Sequence, residues 1–118
     1  YLITPKFNLE INLNLPQFDQ IRYAGGSMKI NQGGLNGILI FNINGENFTA
    51  WEATCPNHIP EECSKLEIFG LLSQCRCENY KYSLANGQLI NPSENQKTNY
   101  PMHYYNTIFS NNQLIISN

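Results

Sequence analysis

Four cysteines and two histidines have the widest chemical range in this 118-residue chain: Cys55, Cys63, Cys75, Cys77, His58 and His103. Most of them fall in two clusters. The first reads Thr54-Cys55-Pro56-Asn57-His58 and runs on to Cys63; the second reads Cys75-Arg76-Cys77-Glu78-Asn79-Tyr80. Such sulfur pairs serve structural zinc, disulfides or an iron–sulfur centre. Four-thiolate zinc sites use paired C-x₂-C knuckles. Here seven residues separate Cys55 from Cys63 and one separates Cys75 from Cys77, so the spacing argues against zinc. An even count of cysteines suits disulfides in a compact exported domain, and four allow three connectivities. Cys75 and Cys77 stand too close along a strand for an easy mutual bridge, so bridges between the clusters are expected. A redox-active dithiol needs a stabilised thiolate, and the only cation flanking Cys75 is Arg76.

Other constellations carry less. Glu61 and Glu62 are neighbours, and with Glu52 they read as solvated charge rather than a paired acid and base. No nucleophile elbow or phosphate-cradling glycine loop is present. Trp51 and the tyrosines at 80, 82, 100, 104 and 105 read as core and sheet-face packing, with Tyr80 and Tyr100 suited to line an exposed groove. Seven Lys and Arg against nine Asp and Glu, scattered, give a net charge of −2 and no electrostatic basis for nucleic-acid binding. The longest apolar run, Gly37-Ile38-Leu39-Ile40-Phe41, is too short for a membrane-spanning segment.

The elements that must position the clusters are strands. Phe7 to Leu15 alternates apolar and polar at period two. Gln17 to Tyr23 follows as a turn, with Leu15, Phe18 and Ile21 expected to face inward. Met28 to Ile30 is a short strand between glycine-rich breaks. Ile38 to Ile43 reads as a buried strand, Asn44-Gly45 as a hairpin turn and Asn47 to Trp51 as the return strand, which delivers the chain into Thr54-Cys55. Lys81 to Leu84, the turn Ala85-Asn86-Gly87 and Gln88 to Ile90 form another hairpin. Asn91 to Pro101 is a polar loop, with His103 just beyond it in a packing role. Tyr104 to Phe109 and Gln113 to Ser117 close the chain across Ser110-Asn111-Asn112. Short strands at this spacing predict one all-β domain over residues 1–118.

From about Ile38 to the C-terminus the chain resembles the Rieske family. Phe48 to Ala53 followed by Thr54-Cys55 is similar to the approach to that family's first loop, C-x-H with a further cysteine. Cys75-Arg76-Cys77 followed by Tyr82, Gly87 and Asn91-Pro92 is similar to its second loop, C-x-C-H-G-S with an aromatic and a glycine turn. The resemblance implies a Rieske-like antiparallel β-sandwich, with a small loop-bearing subdomain at residues 52–82. It implies electron transfer through a [2Fe–2S] cluster, in which two thiolates hold one iron and two imidazoles the other. It makes Cys55 and Cys75 the thiolate positions and puts Asn57 and Glu78 at the imidazole positions, where neither is a good substitute. His58 is the alternative ligand if the first loop shifts by one residue. Cys63 and Cys77 match the cysteines that join the two loops by a disulfide.

All four sulfurs are thus kept while both nitrogens are lost. The expectation is a domain without a cofactor, held by Cys63–Cys77 and Cys55–Cys75 bridges, with no catalytic residue. It would serve as a binding or structural module for an unidentified protein or small ligand. The alternative is an electron-transfer component whose cluster is ligated by Cys55, Cys75, His58 and Glu78. The cysteines and a first residue of Tyr rather than Met predict an exported protein of the periplasm or cell surface, a setting compatible with a lipid anchor upstream.

Overall fold

Phase along two central strands organises the molecule. The computed structural model describes residues 6–56, 65–75, 80–90 and 101–117. Among the described residues nine strands follow one another: β1 (Asn8–Asn12), β2 (Ser27–Ile30), β3 (Ile38–Asn42), β4 (Phe48–Glu52), β5 (Leu66–Phe69), β6 (Leu72–Cys75), β7 (Tyr80–Ser83), β8 (Tyr104–Ser110) and β9 (Gln113–Ser117). They form two antiparallel sheets, one of six strands in the order β1-β9-β8-β4-β3-β2 and one of three in the order β5-β6-β7. A 3-10 stretch, Pro16–Ile21, links β1 to β2. It buries Ile21 and half-buries Phe18, but Leu15 is turned outward, because the chain bends there with Leu15 N–H on Asn12 O.

Every residue of β3 and β4 is buried, on both faces. Period-two alternation sends Ile38, Ile40, Phe48 and Ala50 to one side, where they meet Ile11, Leu13, Ile21, Tyr105, Leu114 and Ile116. The other phase sends Leu39, Phe41, Trp51 and Ala53 against Cys55, Leu66, Cys75, Tyr80, Tyr82, Leu84 and Met102. The hairpin across Asn44-Gly45 sets this register, pairing Ile40 with Ala50 and Leu39 with Trp51. Gly45 sits at φ +93, which only glycine adopts readily.

The closing hairpin also forms as the sequence predicts. Asn111 and Asn112 both take positive φ, 52° and 59°, as a two-residue primed turn requires. Two strands go beyond the sequence reading. Leu66–Phe69 and Leu72–Cys75 pair across a turn at Gly70, with Leu66 opposite Cys75 and Phe69 opposite Leu72. Gln88 to Ile90, expected as a strand, makes one bridge between Leu89 and Tyr82 and otherwise covers the edge of β7, with Ile90 N–H on Lys81 O. The helical turn considered at Pro60 and most of the 91–101 loop lie outside the described residues.

Candidate functional site: a thiol-bearing core on the small sheet

The site grows out of the end of β4. The chain leaves β4 at Glu52 and stays paired to the small sheet, with Leu66 N–H on Ala53 O at 2.8 Å and a bridge between Thr54 and Lys65. This delivers Cys55, fully buried, into the core between the two sheets. Cys75 arrives from the other direction as the last residue of β6, flanked across the sheet by Leu66 on β5 and Tyr80 on β7. Strand alternation points Ser73 and Cys75 inward from β6, and Tyr80 and Tyr82 inward from β7. Tyr80 therefore belongs to the buried wall of this site, not to an exposed groove: its neighbour Lys81 takes the outward phase.

The Tyr82 hydroxyl and the Cys55 Sγ share a hydrogen bond of 3.2 Å, both groups being buried. Ser73 Oγ donates to Met102 Sδ at 3.1 Å. On the sheet that backs the site, Trp51 Nε1 and Thr49 Oγ1 both donate to the Leu84 carbonyl, at 2.7 and 2.8 Å. Gly87, at φ +74, lies under the indole ring, and a Cβ there would stand 2.5 Å from Trp51 Cζ3. Lys29 Nζ donates to Leu66 O at 3.2 Å, fastening β5 to β2.

The predicted residues separate clearly. Cys55 and Cys75 lie in one core, and no disulfide joins these two described residues. Where a second bridge was expected, Cys55 instead directs its sulfur to the Tyr82 hydroxyl. Asn57, His58, Cys63, Cys77 and Glu78 lie outside the described residues, and with them the Cys63–Cys77 bridge. Tyr100 lies outside as well. Trp51, Tyr82 and Tyr105 are core, and Tyr104 packs edge-on against Trp51 at 5.4 Å while half exposed.

His103 is placed away from the thiols. Its ring meets Tyr105 edge-on, with centroids 5.2 Å apart, and Tyr105 belongs to the aliphatic core on the opposite side of β4. Met102, one residue earlier, belongs to the core that holds Cys55 and Cys75. Two thiolates suit one iron of a Rieske centre, and the second iron wants two imidazoles. Of the chain's two histidines, His103 packs its ring on Tyr105 and His58 lies outside the described residues.

The burial of one acidic residue corrects an expectation from the sequence. Glu52, read there as solvated charge, is fully buried. The signal was its phase: Phe48, Ala50 and Glu52 share one strand face, so a core Phe and Ala predict a core Glu.

No family model matches the chain, and no curated protein matches it by sequence. Solved structures do match. The complex of reduced oxygenase and oxidized ferredoxin in carbazole 1,9a-dioxygenase aligns over 93% of this chain and 92% of that one, with a TM-score of 0.57 and 13% identity. A ferredoxin of Sphingomonas yanoikuyae B1 aligns over 85% of this chain and 91% of its own, with a TM-score of 0.54 and 11% identity. At these identities the likeness is one of fold, and the Rieske-like antiparallel β-sandwich expected from the sequence is the fold this chain has.

Proposed function

We propose that this domain is a Rieske-like module that works without a conventional two-imidazole [2Fe–2S] cluster and acts by binding a protein partner. The observation that carries the reading is His103, whose half-buried ring lies edge-on against Tyr105 of the aliphatic core, which argues against an imidazole pair beside Cys55 and Cys75. In this reading the two loops are held by a Cys63–Cys77 bridge, worth about 3 kcal/mol, in an exported protein where such a bond persists. A protein as partner is supported by the similar structure in which a ferredoxin is bound to an oxygenase. The test is the iron and acid-labile sulfide content of protein purified anaerobically, read with its visible spectrum. Colourless protein without stoichiometric iron is expected; a charge-transfer spectrum with stoichiometric iron and sulfide overturns the reading.

The second reading is electron transfer through an atypical cluster ligated by Cys55, Cys75, His58 and Glu78. It is favoured by the burial of both thiols in one core with the Tyr82 hydroxyl on Cys55. It requires that His58→Ala remove iron from the purified protein; iron retained in full by that variant rules out this ligand set.

A further inference from the structure

Glu52 ends β4 facing the aliphatic core, where a carboxylate is costly unless every oxygen is hydrogen-bonded. Here both oxygens are supplied. Oε1 accepts from Leu35 N–H and from Tyr105 Oη, each at 2.7 Å. Oε2 accepts from Asn36 N–H at 3.0 Å and from Thr54 Oγ1 at 2.6 Å. Asn36 Nδ2 in turn donates to Thr54 Oγ1 at 2.6 Å, so the Thr54 hydroxyl is fixed from both sides. The turn between β2 and β3 is built round this carboxylate. Consecutive backbone N–H groups form a concave anion site, and a Cβ at Gly34 (φ +63) would run into Glu52 Oε1.

The clamp thus joins three parts of the fold: the 34–36 turn, β8 through Tyr105, and Thr54. Thr54 is the residue before Cys55. Its hydroxyl is aimed at Glu52, and its backbone bridges Lys65 on the way into the thiol-bearing core. Cys75 is placed by other means, the pairing of β6 with β5 and β7.

We infer that Glu52 is the positioning residue of the Cys55 thiol: by fixing Thr54 it holds Cys55 closed against Tyr82, and it leaves Cys75 untouched. The inference concerns how Thr54 and Cys55 are held and stands whether or not iron binds. Glu52→Gln breaks the clamp at constant size, because an amide NH₂ then meets groups that are themselves donors.

The test is native-state labelling of the reduced full-length chain with iodoacetamide, with the rate at each cysteine read by peptide mass spectrometry. Glu52→Gln should raise the Cys55 rate by about tenfold or more, as loss of charge-assisted hydrogen bonds eases local opening, with Cys75 changed less than about twofold. Thr54→Val should follow it, and Thr54→Ser, which keeps the hydroxyl, should label within about twofold of the parent chain. Equal acceleration at both cysteines overturns the inference, because it reports general loosening, and so does an unchanged Cys55 rate. If Glu52→Gln fails to fold, Thr54→Val and Tyr105→Phe apply the same criterion with the carboxylate in place.

Discussion

The two faces of β3 and β4 carry different chemistry on the same pair of strands. The side facing Ile11, Ile21, Leu114 and Ile116 is almost wholly aliphatic and aromatic, and its buried carboxylate is bound up with Tyr105 and the 34–36 turn. The side facing the small sheet mixes apolar bulk with polar handles: two thiols, a thioether, two tyrosines and an indole. The first core draws on β1, β3, β4, β8 and β9, whereas the second rests on a three-stranded sheet fastened to its backing by a few directed bonds. Apolar burial scales with area and is indifferent to direction, while hydrogen bonds are directional and modest in net worth. The comparison therefore separates a stabilising side from a side built to place particular atoms.

The largest effect should come from the stabilising side. Ile40→Ala removes a fully buried side chain from the centre of that core. It should cost about 3 kcal/mol of unfolding free energy in a urea titration. Because the loss is global, alkylation of Cys55 and Cys75 should accelerate together; acceleration at only one of them would mean that the two cores do not unfold as a unit.

Gly87→Ala attacks the other side. The added Cβ meets Trp51 Cζ3 at 2.5 Å, and the left-handed backbone at φ +74 disfavours any β-carbon. A cost of about 2 kcal/mol is expected, from strain and displaced packing together. Hydrogen exchange should show where it falls, with β6 and β7 losing protection while β1 and β9 keep theirs. Equal loss in both sheets would erase the distinction between the faces.

These differences show how much was legible beforehand. The alternation of Phe7 to Leu15, the Asn44-Gly45 turn and the closing hairpin were open to reading because turn residues and period-two patterns are local signals. The Rieske-like frame was legible only as a resemblance, carried by Phe48 to Cys55 and by Cys75, Cys77, Tyr82, Gly87 and Asn91-Pro92. The hairpin of β5 and β6 was not read, since Cys63, Cys75 and Cys77 drew that stretch into a loop-bearing unit, although Leu66 and Ile68 alternate. The site was half legible. Cys55 and Cys75 could be named, but which core His103 faces depends on its phase relative to Tyr105, a tertiary fact. The burial of Glu52 follows from its phase and runs against its residue type; its donors come from residues 17, 16, 2 and 53 positions away, so local sequence offers none but Thr54.

A smaller effect separates packing from direction within the second core. Trp51→Phe keeps an aromatic ring but loses the Nε1–H on the Leu84 carbonyl, which still accepts from Thr49 Oγ1. Since that oxygen keeps a partner, the hydrogen-bond share of the loss should be about 1 kcal/mol, well short of the cost of burying an orphaned carbonyl, with the cost of the smaller ring added to it. Adding Thr49→Val to Trp51→Phe removes both donors. If the Leu84 carbonyl is the shared anchor, the double variant should lose about 1 kcal/mol more than the two single losses combined.

The smallest expected change is the most specific to the site. Tyr82→Phe leaves the fully buried ring in place and deletes only the hydroxyl that meets Cys55 Sγ at 3.2 Å. Sulfur is a weak donor and a weak acceptor, so the stability cost should be about 0.5 kcal/mol, small beside that of Ile40→Ala. Stability is therefore the wrong measure here, and labelling the right one. With the hydroxyl gone, Cys55 should react faster while Cys75, placed by strand pairing, keeps its rate. A change confined to Cys55 would establish that this side of the sheet places individual atoms at little cost to the fold; a change of equal size at both would reduce the hydroxyl to one more packing contact.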